Sequence, residues 1–338
     1  MKAAVFYGKH DVRIEDIPVR TPHDFDVVVK TAYCGVCGTD LHIYHGDEGS
    51  AEAAPPVVLG HEMSGTVVEV GSSVTKLAVG DHVSVDPNFS CGECHYCRCG
   101  QMHFCSGMNA FGVNFHGGFA EYCTLPSKVA IKAPEGLPLD IVAFAEPVSC
   151  CLHGIDLTGI RAGDSVLLIG GGTIGLLMLQ LAKLSGASLL TLVEPDSHKR
   201  AIAREFGADN VFSCREEYDD FTANSPDIRA DKVVECVGKA ETVSFAIQAA
   251  SKGATVMLFG LTPPKATVEI FPFEIFKKEL TIKASFVNPY TQSRAMELLG
   301  NYRINVSKLI SERVPLEKLT EVFNEPYYRA KMKILVEF

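Results

Sequence analysis

The chain has 338 residues, 47% hydrophobic and 21% charged, a globular balance in a length that suits two domains better than one core. Acidic groups outnumber basic ones by 41 to 31, and a formal charge of −10 excludes nucleic acid and anionic membrane as expected partners. No apolar run reads as approaching the ~18 residues of a membrane span. The start, MKAAVFYGKHDVRIED, meets charge too early for a signal-peptide core, so a cytoplasmic protein is expected.

Taken in order, the first part of the chain holds short β-rich runs broken by Gly and Pro: VVVKTAYCG, MSGTVVEVG, GDHVSV and FAEYCTLP. Valine and threonine at near-alternating positions between turn signals predict an antiparallel, barrel-like β domain over residues 1 to about 148. From about residue 149 the period changes. VLLIG (166–170) reads as a buried strand, followed by an apolar helix through Ile174 to Leu184, a strand LLTLVE (189–194) and a helix HKRAIAREFGA. KVVECVG (232–238), a helix over 241–252, TVMLFG (255–260) and LTIKASF (280–286) continue the alternation, which predicts a parallel sheet covered on both faces. A helix in SRAMELLGNY and a closing strand MKILVEF fit either domain on pattern alone.

Gly170-Gly171-Gly172-Thr173-Ile174-Gly175 fits G-x-G-x-x-G between a buried strand and a helix, the context of a dinucleotide-binding turn. Gly170 permits the turn, Gly172 lets the backbone approach a pyrophosphate, and Gly175 lets helix and strand pack closely. The helix N-terminus, at Thr173 and Ile174, then offers N–H groups to the phosphates. Glu194 ends the next strand, where it can accept from the adenosine ribose hydroxyls and repel a 2′-phosphate. NAD is therefore expected over NADP, although Lys199 and Arg200 lie just downstream.

Twelve cysteines in a reducing compartment point to metal rather than disulfides where they cluster. Cys91, Cys94, Cys97 and Cys105 follow C-x2-C-x2-C-x7-C and can wrap a tetrahedral Zn²⁺ with no open position, in a structural lobe over about 88–108. Cys99 is an alternative to Cys97 as third ligand, and a nucleic-acid-gripping zinc ribbon is the competing reading, opposed by the acidic balance. A dispersed set offers a second site with an open position: Cys34, Cys37, Thr39, Asp40 and His42 in YCGVCGTDLHIY, His61 and Glu62 in GHEMSG, and Glu146 in AEPVSCCLHG.

GVCGTDLH, GHE, the four-cysteine lobe, EPVS and GGGTIG, in this order, resemble the zinc-containing medium-chain alcohol and polyol dehydrogenases over essentially the whole chain. The resemblance implies an α/β protein with a GroES-like catalytic domain, made of 1–148 and 287–338, and a doubly wound Rossmann domain at 149–286. It puts the active-site cleft between them. It further implies two zinc ions per chain and NAD as cofactors. Cys37 and His61 would hold the catalytic zinc, with Asp40 orienting the His61 ring. Glu146 falls where alcohol dehydrogenases carry cysteine and polyol dehydrogenases carry glutamate; whether Glu62 or Glu146 completes the ligand set stays open. Cys34 is read as structural.

The implied chemistry is oxidation of a secondary alcohol to a ketone with hydride transfer to NAD. Thr39 would take the hydroxyl proton and relay it towards His42, and the nicotinamide carboxamide would rest near the backbone of Ala284–Phe286. Tyr44 and Phe119 are expected to line the pocket. A polyol or polyol phosphate is the first substrate reading. L-threonine or 2,3-butanediol is the alternative, although threonine dehydrogenases tend to carry aspartate at the Glu146 position. A non-catalytic zinc- and NAD-binding regulator is the reading from another class. Relatives are commonly tetramers, so a homo-oligomer is expected.

Overall fold

The computed structural model describes residues 1–47, 52–225 and 228–338, and they fall into two compact units: Met1–Ser149 with Val287–Phe338, and Cys150–Phe286.

The first unit is the GroES-like β domain. Its centre is the strand Asp26–Gly35, whose valines Val27, Val28 and Val29 are all buried. This strand pairs antiparallel with Glu62–Val70, Tyr122–Pro126 and Lys333–Glu337, which is why its apolar run is nearly continuous. His82–Val85 and Ala130–Lys132 extend the sheet on one side and Ile310–Pro315 on the other, the last pairing parallel with Lys333–Glu337. A smaller sheet of Lys2–Gly8, Asp11–Asp16 and Val57–Val58 joins the same core, its first strand burying Ala3 to Phe6 on both faces. The closing strand thus belongs to this unit and brings the far end of the chain to its centre.

The second unit is the Rossmann fold. Among the described residues, six parallel strands lie in the order Asn210–Phe212, Leu189–Val193, Ser165–Ile169, Lys232–Glu235, Thr255–Leu258 and Thr281–Ala284. The order reverses between Ser165–Ile169 and Lys232–Glu235, and a ligand-binding crevice opens at the carboxyl ends of strands at such a reversal. The edge strand Asn210–Phe212 and the helices Arg215–Ala223 and Pro272–Lys278 were not foreseen, being short and weakly periodic. The helix expected over 241–252 is Ala240–Ala249, because Ala250 turns to extended backbone.

One expectation needs correcting. The helical stretch Leu139–Thr158 is 20 residues long and apolar enough, by length and composition, to cross a membrane. It is 72% buried within the fold, so its apolar character is that of a core helix. Val142, Phe144, Val148, Cys151 and Leu152 are among the residues it buries.

Candidate active site and metal centres

Strand register assembles the first cluster. Gly35 pairs with Glu62 on one neighbouring strand and with Leu335 on another. The residues just beyond these positions, Cys37, His61 and Lys333, therefore meet at one end of the sheet. Donor atoms of Cys37, His61 and Glu62 all lie within 4.8 Å of one another. Two glycines permit this closeness. A Cβ on Gly35 would collide with a Glu62 carboxylate oxygen, and one on Gly60, at φ 92°, would stand 2.8 Å from the Cys34 sulfur and the Phe119 ring.

Asp40 is wholly buried and faces two ways. Its Oδ2 accepts from the Cys37 N–H at 2.9 Å, at the start of the helix Gly38–Tyr44. Its Oδ1 stands 3.4 Å from His61 Nδ1, and both atoms lack a hydrogen-bond partner among the described residues. Burial alone would lower the His61 pKa, but the Asp40 carboxylate and the Cys37 thiol outweigh it and raise it. The cluster thus demands a positive charge at its centre. A zinc ion held by Cys37 and His61 would meet that demand, with Asp40 behind the imidazole.

Lys333 was missed in the sequence. It is 5% exposed, and its Nζ donates to Glu62 Oε1 at 2.7 Å and Oε2 at 2.5 Å, and to the Val36 carbonyl at 3.2 Å. Burial opposes the charge on this ammonium, while Glu62, Cys37 and Glu146 favour it, and its pKa is raised. Glu146 is buried at the second position of the helix Ala145–Thr158. It is outside the three mutually close donors, yet near enough for its charge to act on Lys333. A lysine alone in the apolar closing strand was the signal that could have found this contact.

Thr39 and His42 are half-buried on one face of the helix Gly38–Tyr44, three residues apart. Thr39 Oγ1 lies 3.8 Å from the Cys37 sulfur, and His42 Nδ1 lies 3.7 Å from Asp47 Oδ2. Tyr44 and Phe119 are core residues rather than pocket walls. Tyr44 packs on Phe323 at 5.1 Å with its hydroxyl accepting from Asn324, and Phe119 is fully enclosed. Cys34 is likewise enclosed, and burial pushes its thiol pKa up. A pocket beside Cys37 is walled by Val36, Leu41, Met332, Arg329 and Lys331.

In the second cluster, sulfur separations are 3.5 Å for Cys105–Cys91, 3.6 Å for Cys94–Cys97 and 4.0 Å for Cys91–Cys97. A tetrahedron with Zn–S bonds of about 2.3 Å has edges of about 3.8 Å, so the four thiols fit a closed zinc site. The Cys94 and Gly107 N–H groups point at the Cys91 and Cys105 sulfurs at 3.4 and 3.3 Å. Cys99 turns outward and is exposed, 3.9 Å from His95 Nε2. Residues 91–104 contain no buried side chain, so this lobe has no core of its own to hold it.

In the Rossmann unit, Gly170 has φ 97° and a Cβ there would meet Val237 at 2.6 Å. A Cβ on Gly175 would strike the Gly170 carbonyl, while Gly172 faces open space. Gly172 begins the helix Thr173–Leu184 without a side-chain cap, and Thr173 Oγ1 is buried with no hydrogen-bond partner among the described residues. These uncapped donors fit a diphosphate. Glu194 is buried, and its carboxylate already accepts from Gly171 N–H at 2.6 Å and Asp196 N–H at 2.9 Å. Arg200 donates to the Glu194 and Pro195 carbonyls, both at 2.7 Å. Phe286, after the edge strand Thr281–Ala284, is 40% exposed.

Residues 23–135 match the Alcohol dehydrogenase GroES-like domain, and residues 173–301 match the Zinc-binding dehydrogenase domain. The chain is 34% identical to an L-threonine 3-dehydrogenase of Pyrococcus horikoshii, covering 96% of this chain and 93% of that one. It is 32% identical to a D-arabitol-phosphate dehydrogenase of Enterococcus avium, over 98% and 95% of the two chains. A zinc-binding dehydrogenase of Sinorhizobium meliloti, solved bound to NADP, superposes with a TM-score of 0.94 at 38% identity, over 100% and 99% of the chains. With its donor clusters, its glycine turn and this whole-chain likeness, the protein belongs to the zinc-containing medium-chain dehydrogenases, in the branch of polyol and threonine dehydrogenases, and is a zinc- and NAD(P)-dependent oxidoreductase of alcohols.

Proposed function

We propose that the protein oxidises a secondary alcohol of a polyol or polyol phosphate to the ketone, with NAD as hydride acceptor. The observation that carries this reading is the close set of donors from Cys37, His61 and Glu62, which holds no second thiol, together with the buried carboxylate of Glu146 outside that set. A zinc ion held there would act as a Lewis acid and make the substrate hydroxyl easier to deprotonate. Asp40 fixes the Cys37 backbone and faces the His61 ring, which keeps imidazole orientation independent of substrate. Thr39 accepts the hydroxyl proton and His42, partly open to solvent, receives it by relay. NAD, which would be held by the glycine turn at its diphosphate and by the backbone around Phe286 at its ring, would supply the hydride acceptor. Arg329 and Lys331 give the pocket beside Cys37 a positive wall suited to a phosphate-bearing molecule. NAD over NADP rests on Glu194, and a cytoplasmic location on twelve cysteines free of disulfides. Cys91, Cys94, Cys97 and Cys105 would hold a second zinc in the four-thiol lobe.

A homo-oligomer is part of the same reading. The edge strand Thr281–Ala284 is exposed throughout, and Phe271, Phe273, Phe276 and Ile282 around it in sequence are also exposed. Such an apolar stretch beside an unpaired edge suits a second copy.

L-threonine is the second reading, favoured by the name of the Pyrococcus horikoshii relative. The test is NADH absorbance on mixing the protein with NAD and a panel of polyols, polyol phosphates, 2,3-butanediol and L-threonine. Fastest turnover with threonine would replace the polyol reading. No turnover with any alcohol, in zinc-replete protein, would leave only the binding-protein reading.

A further inference from the structure

Six polar side chains of the first unit are buried together and have no part in the chemistry above: Ser84, Asn88, Ser149, Asn288, Thr291 and Gln292. Asn288, 1% exposed, is their hub. Its Nδ2 donates to Ser149 Oγ at 2.8 Å, with Asp86 Oδ1 and Gln292 Oε1 each at 3.3 Å, and its Oδ1 accepts from Asn88 Nδ2 at 2.6 Å. Ser149 Oγ in turn donates to the Glu146 carbonyl at 2.7 Å, and Thr291 Oγ1 donates to the Ser149 carbonyl at 2.8 Å. Gln292 Nε2 closes the far side on Ser84 Oγ at 2.7 Å.

Burying so many polar groups is no route to extra stability, since well-packed apolar side chains of the same volume would do as well. A fully connected polar network adds something else: each bond has a length and a direction, so the network fixes position where apolar packing tolerates sliding. What it fixes here is the first turn of Ala145–Thr158, the turn that carries Glu146. Three segments far apart in sequence, 84–88, 146–149 and 288–292, are bound into one unit by it. A metal donor must be placed to within about 0.2 Å of its ideal distance. Helix packing through Ala145 and Val148 alone gives no such precision.

We propose that Asn288 and Ser149 are positioning residues for Glu146, holding its turn in the place where the carboxylate serves the zinc on Cys37 and His61. The proposal rests on the reading of Glu146 as a donor to that zinc. Asn288 touches neither substrate nor metal and acts only through Ser149 and the helix backbone.

The test compares Asn288→Ala, Ser149→Ala and Glu146→Ala with the parent enzyme, using the absorption of cobalt exchanged into the catalytic site and the rate of zinc release to a chelator. Both read the metal's surroundings rather than turnover. Asn288→Ala and Ser149→Ala should each shift the cobalt bands and speed zinc release about tenfold. The double variant should be little worse than either single one, because both break one chain of bonds. Ser149→Thr, which keeps the hydroxyl, should stay close to the parent spectrum. Wild-type bands and release rates in folded Asn288→Ala and Ser149→Ala, whatever their melting temperatures, would overturn the proposal. Should Asn288→Ala not fold, Ser149→Ala decides alone. Unchanged bands in Glu146→Ala would instead remove Glu146 from the metal, and the proposal with it.

Discussion

Lys333 and Glu62 form a buried ion pair, with the lysine Nζ 2.7 Å from one carboxylate oxygen of Glu62 and 2.5 Å from the other. Both oxygens of the glutamate nearest Cys37 and His61 are thus occupied by a cation of the chain itself. A pair so enclosed is weak evidence for stability but costly to halve: removing one partner strands a buried charge, at ~3–5 kcal/mol. Lys333→Met should therefore destabilise the protein by about that amount in denaturant unfolding. Adding Glu62→Gln should recover a good part of the loss. A double variant no more stable than Lys333→Met would show that the pair is not what the lysine contributes.

Metal content separates the two clusters. The ligand sets share no residue, so the as-isolated protein should hold two zinc ions per chain. Cys94→Ser should lower the count by one and reduce stability, because the lobe at 91–104 buries nothing of its own. Cys37→Ser should abolish turnover and leave the melting temperature close to the parent value. Elemental analysis finding one zinc in fully active protein would refute the two-site assignment.

What could be read from the sequence was chemistry carried by neighbours in the chain. The glycine turn, the four-thiol spacing and the GHE and GTD motifs are each local, and their geometry follows from one turn or one helix start. Lys333 was not legible because its partner is 271 positions away and meets it only through the register of three strands. Asn288 was invisible for the same reason. Tyr44 and Phe119 were misplaced because standing next to motif residues along the chain does not say which face of the backbone a side chain takes. Helix Gly38–Tyr44 turns Tyr44 inward while Thr39 and His42 stay half-exposed. Glu194 was found by its place at a strand end, but its grip on Gly171 is a tertiary contact that no motif encodes.

That grip changes what Glu194 variants should do. Its carboxylate already holds the glycine turn, and ribose hydroxyls would use its remaining lone pairs. Glu194→Ala should weaken both cofactors by loosening the turn, and NAD more than NADP by removing the 2′ discrimination. Hydrogen bonds to a charged group contribute ~1.5–3 kcal/mol, or roughly one to two orders of magnitude in kcat/KM for NAD. Steady-state kinetics with both cofactors checks this. A parent enzyme that works better with NADP would sink the assigned role of Glu194.

The proton path is tested on variants shown to keep their zinc. His42→Ala should slow alcohol oxidation at neutral and lower pH by up to ~10²-fold, the low end for general-base contributions, since this relay end is partly open to solvent. Higher pH should restore much of the rate as hydroxide or buffer takes the proton. Thr39→Val should be far slower and show no such recovery, because it removes the group that meets the hydroxyl itself. A pH–rate profile for His42→Ala that overlays the parent would take that histidine out of the relay.

Asp86 offers a test of the buried network that does not depend on the reaction. It accepts from the Asn88 backbone N–H at 3.2 Å and from Asn288 Nδ2 at 3.3 Å, and burial pushes its pKa from the usual 3.8 to about 6. The folded state therefore binds the proton more tightly than the unfolded chain does. The stability this contributes is fully present below pH 4 and is lost as pH rises through about 6. Above that range the ionised carboxylate costs at most ~3 kcal/mol, less to the extent that water reaches its edge. Asp86→Asn keeps an oxygen able to accept both hydrogen bonds and carries no charge. The variant should thus be more stable than the parent at pH 7.5, by up to that amount, and indistinguishable from it near pH 4. Taking the difference between the two proteins at each pH cancels effects common to both, including loss of metal from the thiol lobe in acid. Chemical unfolding at pH 4, 5.5 and 7.5 supplies the comparison. A difference that stays constant across this range would mean that the Asp86 pKa is not raised on folding, contacts that favour its charge offsetting the desolvation.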